Sequence, residues 1–329
     1  MEPVLLRRSQ IDDQRWNEAI DRSQQRVIYG FSWYLDVVCE DWNALVWPSA
    51  LDYEIVMPLP VRKKYGFSLI YQPHFCQYLG IFSETSLTTD QVKCFLQACS
   101  RHFAYISAYS LHPKNYKDVL PEILRAKDLN YAVHKTRILP LGKNFSEIQD
   151  GYSADRKKNL QRSQEWSWAV QQGFEIETLI ELFQNNNTSS IQGGVSLKTY
   201  YILKELYKKL AEKKYAELNY AFVNGKIHSG ALFINDGQHG IYLFNAADQT
   251  GRKGNARTWL LNRFFEHNCN SDGYFDFESA QVEPIAAFYK SFGGETVPFM
   301  QISKNKLPLI IRLVQNVRKW FFKTRPGLF

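Results

Sequence analysis

Residues 216–247, AELNYAFVNGKIHSGALFINDGQHGIYLFNAA, constrain the fold more than any other stretch. Three strand-length runs are separated by Asn224-Gly225 and Asp236-Gly237. These dipeptides favour the two-residue turns whose twist matches that of paired antiparallel strands. An antiparallel meander is therefore expected here. The Gly-rich turn DQTGRKGNA comes next, then RTWLLNRFFEHN, which places Leu260, Leu261, Phe264 and Phe265 on one helical face. A strand is expected over 274–277 and a short helix over 283–292. Pro284 sits in the first turn of that helix, where proline is tolerated. A last strand is expected over 295–302.

The first half repeats this order. ALVWPS, YEIVMPLPV and SLIYQP read as strands, with RKKYG as a connection, and TTDQVKCFLQACSRHF as a helix with a capping threonine. AYISAYSL reads as a strand, KDVLPEILRAKDL as a short helix and YAVHKTRILPL as a final strand. No residue-level repeat accompanies the repeated order, so chance similarity between two α+β halves is the competing account. SADRKKNLQRSQEW reads as a helix opening the second half. At 329 residues the chain suits two units better than one core. The expected division is 1–145, 146–303 and a basic C-terminal segment over 304–329.

Hydrophobic residues at 45% and aromatics at 15% indicate a packed protein. No apolar run reaches the ~18 residues a spanning helix needs, and the apolar run in MEPVLLRRSQIDDQRW is too short for a secretory leader. The expectation is a cytoplasmic protein. The five cysteines are odd in number and show no CxxC spacing, and the seven histidines show neither HxxxH nor HxH. Reduced thiols and no metal site are expected, and there is no GxSxG or Walker sequence. The net charge of +7 resides in the tail, which carries seven Lys and Arg and no acid after Glu295. Charge so confined weakens the generic inference of nucleic-acid binding, and no DNA partner is expected. Within that tail Leu309, Ile310, Leu313, Val314, Val317 and Phe321 can share a helical face, with Arg312, Arg318 and Lys319 off its centre. Such a helix suits the inner face of an anionic membrane. Packing of the same face on the first unit is the plainer account.

Several residues are candidates for chemistry. In GRKGNA, Gly254 lets backbone approach a ligand, while amides at a helix N-terminus, with Arg252 and Lys253, suit a pyrophosphate. An ordinary turn is the simpler reading. Asp276 and Glu278 alternate along the expected strand and so share a face. Glu278 suits an amine-proton acceptor or a helix cap. Lys290 suits charge neutralisation on a substrate, or solvent. Arg62, Lys63 and Lys64 suit an anionic acceptor, or a solvated hairpin.

The order of meander, Gly-rich turn, helix, strand, helix and strand resembles the GNAT acyltransferase fold. That family holds the coenzyme A pyrophosphate on a turn reading Gln or Arg, two residues, Gly, one residue, then Gly or Ala. Gly254 and Ala256 match its last two fixed positions, Gly251 stands in place of the Gln or Arg, and Arg252 is one residue late. The resemblance implies acyl-CoA as donor substrate, held by Arg252, Lys253, Gly254, Asn255 and Ala256, with no permanently bound cofactor. AAFYKSFGG matches the family's A..FY...G helix at Ala287, Phe288, Tyr289 and Gly293. Tyr289 thereby becomes the candidate donor of a proton to the leaving thiolate, and the glycines the stop of the helix.

YFDFESAQVEPIAAFYKSFGGETVPF is similar to the end of bacterial FemAB-like proteins, and RKKNLQRSQEW to the helix opening their second unit. Those proteins hold two GNAT-like units in one chain, each a mixed, mostly antiparallel sheet flanked by helices. The resemblance covers most of the chain, moderately specific over 216–302 and architectural over 1–140. Fem aminoacyltransferases use aminoacyl-tRNA to extend the peptide of a peptidoglycan lipid precursor. Here LKTYYILKELYKKLAEKKYAE replaces the coiled-coil arm that some of them carry, and Ser279 stands where glycine is common. The resemblance implies an N-acyltransferase acting on a small-molecule or lipid-linked amine. A Fem-type ligase using aminoacyl-tRNA is the alternative within enzymes. A non-catalytic module binding an envelope precursor or membrane surface is the alternative outside them.

Overall fold

The computed structural model describes residues 2–64, 66–117, 128–172, 175–187, 194–278, 283–313 and 315. The fold is mixed α and β, in two compact units: 1–134 with 298–329, and 135–297.

The first unit contains β1 (Val4–Arg7), α1 (Asp13–Arg22), α2 (Ser32–Val38), β2 (Asp41–Pro48), β3 (Tyr53–Lys64), β4 (Phe67–Ile70), β5 (Phe82–Ser83), α3 (Thr89–His102) and β6 (Tyr105–Ser110). Its sheet runs β1-β2-β3-β4-β6 and closes with the later residues of β13 (Glu295–Asn305). All neighbours are antiparallel except β4 and β6, which meet in parallel at Ile70 and Ile106. Thr88 caps α3, its hydroxyl accepting from the Gln91 amide while the Gln91 side chain reaches back to the Thr88 amide. Trp16, Tyr29, Tyr34 and Trp42 are fully buried in this unit.

The second unit opens on the end of β7 (Asn130–Pro140). It continues through α4 (Phe145–Asp150), α5 (Ala154–Gln164), β8 (Ala169–Gln172), α6 (Ile176–Asn186), α7 (Leu197–Glu212), β9 (Ala216–Val223), β10 (Lys226–Asn235), β11 (His239–Ala247), α8 (Gln249–Lys253), α9 (Ala256–Asn268), β12 (Tyr274–Asp276) and α10 (Glu283–Lys290). Its sheet runs β7-β12-β11-β10-β9-β8, antiparallel except for β11 beside β12. Leu260, Leu261, Phe264 and Phe265 of α9 are buried as their spacing predicts, in one cluster with Phe233, Tyr242, Phe275 and Phe277. Burying each such side chain is worth roughly 1.5–3 kcal/mol. On the other face Phe183 of α6 meets Phe244 of β11, ring centroids 4.7 Å apart.

Asn224 and Gly225, at φ 51° and 76°, make the expected two-residue turn between β9 and β10. The Asp236-Gly237 turn differs. A three-residue link is found there, because the Asp236 carboxylate accepts from the amides of Gln238 and His239 at 3.0 and 2.8 Å. Arg62, Lys63 and Lys64, expected in a connection, belong to β3 and pair with Leu69, Ser68 and Phe67. The unit boundaries fall at 134/135 and 297/298 rather than at 145/146 and 303/304. Pairing, not sequence neighbourhood, assigns a closing strand: residues 138–140 of β7 pair with β12, and 301–305 of β13 with β6.

The expected helix over 117–129 falls largely outside the described residues, as do Val314, Val317, Arg318, Lys319 and Phe321 of the tail. Residues 309–313 are helical, and Leu309, Ile310 and Leu313 are 68%, 77% and 63% exposed. Among the described residues no helix is long and apolar enough to cross a membrane.

Candidate active site in the second unit

β11 and β12 run side by side for three residue pairs only, from His239 beside Tyr274 to Ile241 beside Asp276. The chain then leaves β11. The Phe277 amide donates to the Arg137 carbonyl at 3.0 Å, which keeps it with β7. Residues 242–247 of β11 still pair with β10, but no described strand lies on their other side. The sheet therefore parts at its centre. The register of β10 against β11 shifts between Leu232 and Phe233, leaving Leu243 as an extra, bulged residue beside the parting.

Four side chains gather there. Tyr289 of α10 stacks on Phe277, centroids 5.2 Å apart, and meets Tyr242 edge-on at 6.0 Å. Burial lifts its phenol to about 12, and the Glu278 charge adds to the rise, while Arg257 and Asn245 pull the other way. It is therefore a neutral hydroxyl throughout the ordinary pH range. Arg257, in the first turn of α9, donates to the Asn245 side chain at 3.3 Å. The Tyr242 hydroxyl is buried and has no hydrogen-bond partner among the described residues.

A fifth group borders this cluster. Arg156 of α5 is only 6% exposed. Its Nε donates to the Ser291 hydroxyl at 2.9 Å and its Nη1 to the Thr258 hydroxyl. Its guanidinium lies 4.3 Å from the Phe288 ring centre and 4.6 Å from that of Phe292. Burial lowers its pKa to about 10; Tyr152 and Asp155 pull it upward, while the neighbouring Arg257 charge adds to the fall.

The Gly-rich turn is not the open loop expected. Asp248 caps a short helix, accepting from the Gly251 amide at 2.7 Å and holding His228 Nδ1 at 2.8 Å. The amides of Arg252, Gly254 and Asn255 bond to Asp248, Thr250 and Arg252 carbonyls. A Cβ on Gly254 would run into Trp168 and Trp166, two indoles stacked 5.7 Å apart. Trp168 also donates to the Gly254 carbonyl at 3.0 Å. The glycine thus serves indole packing, and these amides are bonded within the turn. Arg252 and Lys253 are exposed, Arg252 donating to the Asn186 carbonyl; Asn255 is half-buried and Ala256 buried.

The other sequence candidates fall in separate places. Asp276 is buried, accepting from the Thr136 hydroxyl at 2.6 Å and the Glu278 amide at 2.9 Å. Glu278 lies past the end of β12 at φ 47° and does not alternate with Asp276 along a strand. It is close enough to act on the Tyr289 phenol. Lys290 is exposed on the last turn of α10, and Ser279 lies outside the described residues. Arg62 and Lys63 belong to the first unit, with the Arg62 guanidinium 4.8 Å over the Tyr71 ring and its Nε buried without a partner among the described residues. Tyr242, Asn245, Arg257 and Arg156 went unrecognised in the sequence. The one local sign was polar residues within apolar runs, as in IYLFNAA.

No protein-family model matches the chain, and no curated protein sequence matches it. Among solved structures, FemX superposes with a TM-score of 0.66 at 13% identity, covering 96% of this chain and 100% of that one. The fold is FemAB-like. A conserved protein from Bacteroides thetaiotaomicron follows at 0.55 and 13% identity, with 88% of this chain and 92% of that chain covered. The C-terminal domain of a protein named as a lysylphosphatidylglycerol synthetase from Agrobacterium fabrum reaches 0.53 at 12% identity, with 92% and 96% covered. The FemAB-like likeness thus extends through the first half, where the sequence carried only an order of elements.

Proposed function

We propose that the chain is an acyl- or aminoacyltransferase whose donor carbonyl enters where β11 and β12 part. The observation that carries this reading is the parted pair with Tyr289 beside it. In the reaction an acceptor amine attacks the carbonyl of a thioester or ester, forming a C–N bond. A main-chain amide at the Leu243 bulge receives the developing oxyanion. The amine loses its proton to Glu278 or to water. The C–S or C–O bond then breaks, and Tyr289 protonates the departing thiolate or alkoxide.

Acyl-CoA remains one donor, with Arg252 and Lys253 contributing side-chain charge and Asp276 and Lys290 bordering the acceptor. One observation favours the second donor, an aminoacyl ester such as aminoacyl-tRNA. The amides of Gly251, Arg252, Gly254 and Asn255, which a coenzyme A pyrophosphate would use, are already bonded within the turn. Fold likeness alone does not choose between them. The test is a thermal-shift and turnover screen of the full chain against acyl-CoAs and charged tRNA with amine acceptors. A raised Tm and consumption of one donor are expected; a protein that neither responds to nor consumes either is not such a transferase.

Written from the meander outward, both sheets show the same succession, with one parallel junction at the same place. This supports two GNAT-like units descended from one. For the tail, exposed Leu309, Ile310 and Leu313 support contact with an anionic membrane. Each basic residue near such a surface adds about 1 kcal/mol. The full chain is expected to co-sediment with vesicles containing phosphatidylglycerol at low salt and to be released at high salt. A chain ending at residue 303 should remain in solution; no binding by the full chain at low salt would rule the contact out.

A further inference from the structure

The second unit contains two guanidinium groups that converge on one ring. Arg156 lies 4.3 Å and Arg257 5.5 Å from the centre of Phe288. Neither forms an ion pair among the described residues. A buried guanidinium is expensive to leave without a counter-charge, and two together repel. Aromatic faces offset part of this. Ser291 and Thr258 accept from Nε and Nη1 of Arg156. Within the electrostatic reach of Arg257 lies the buried Tyr242 hydroxyl, a donor with no acceptor among the described residues. Arg257 thus lies within electrostatic reach of both Arg156 and the Tyr242 hydroxyl, and Asn245 accepts from it at 3.3 Å. Arg257 is half-exposed, which leaves a path from solvent.

We propose that Arg257, Arg156 and the Tyr242 hydroxyl form a receptor for an anionic group, a phosphate or a carboxylate, of the substrate that enters between β11 and β12. This rests on the transferase reading only for the identity of the ligand. It differs from a backbone phosphate cradle. The anion is held by side chains from α5, α9 and β11, and the Gly-rich turn takes no part. Guanidinium forks suit either a phosphate of a nucleotide-bearing donor or the carboxylate of a peptide-like acceptor.

Isothermal titration of the full chain at low ionic strength separates these sources. One arm uses adenosine 3′,5′-bisphosphate and the other N-acetyl-alanine. Saturable binding in one arm is expected, weakened at least about tenfold by Arg257→Gln, since a charge-assisted bond is lost. Arg156 is buried, and its replacement can unfold the chain, so it is followed unmutated. Its Nε resonance, in protein labelled with 15N at arginine, should move on saturation. Equal binding by Arg257→Gln, a stationary Arg156 resonance, or no binding in either arm would each overturn the proposal. Anion binding that depends on Arg257 without any transferase turnover would leave the receptor standing and remove the reaction. Turnover indifferent to Arg257 would do the reverse.

Discussion

Tyr289→Phe is expected to lower turnover by about 10²- to 10⁴-fold, the usual contribution of a positioned proton donor. The ring that stacks on Phe277 and meets Tyr242 is retained, so the fold should survive. Loss of a buried hydroxyl contact is worth only about 1 kcal/mol. The pH dependence gives a second check. An ordinary phenol deprotonates near pH 10, whereas burial holds Tyr289 up to about 12. A rate that depends on this proton should not fall between pH 7 and 10, and its alkaline limb should move toward 12. The same shift sets the stability term. Because the folded value lies above the unfolded one, the contribution is complete below about pH 10 and is lost as pH rises to about 12. Turnover unchanged in Tyr289→Phe would place proton transfer elsewhere, and Glu278→Gln becomes the next variant to measure.

What could be read in the sequence follows a physical divide. Asn224-Gly225 and the α3 cap at Thr88 were legible because each is decided within four residues. The buried face of α9 was legible because periodicity records burial directly. Asp236 misled because its carboxylate, invisible to a dipeptide rule, captured two amides and lengthened the link. The Gly-rich turn misled for a related reason. Glycine was read as an approach for a ligand, but what approaches Gly254 is a pair of indoles some ninety residues earlier in the chain. The closing strands were assigned to the wrong units because β7 and β13 are equally good strands, and only pairing distinguishes their sheets. Arg156 and Arg257 could not be found locally at all. Each is an ordinary helix arginine until folding sets both against Phe288.

Gly293→Ala is expected to destabilise the second unit by roughly 2–4 kcal/mol, which combines a left-handed backbone penalty with overpacking. The first of the paired glycines ends α10 at φ 82°, its amide donating to the Lys290 carbonyl at 3.0 Å. That much the sequence indicates, since a helix stop favours a residue tolerant of positive φ. The structure adds a second demand. A Cβ at 293 would stand 2.7 Å from the Gly151 carbonyl oxygen and 3.0 Å from its carbon. Gly151 is backbone at the end of α4, and the Ser153 amide two residues on donates to the Ser291 carbonyl at 2.9 Å. Neither side can swing away as a flexible side chain would. Gly225→Ala is the control: φ there is also positive, at 76°, but nothing lies within 4 Å of its Cβ. It should cost only about 1 kcal/mol. Urea unfolding of both variants separates strain from contact. Equal losses would mean that the approach to Gly151 carries no weight. A larger loss at 293 would identify it as what holds the end of α10, and with it Tyr289, against the rest of the unit.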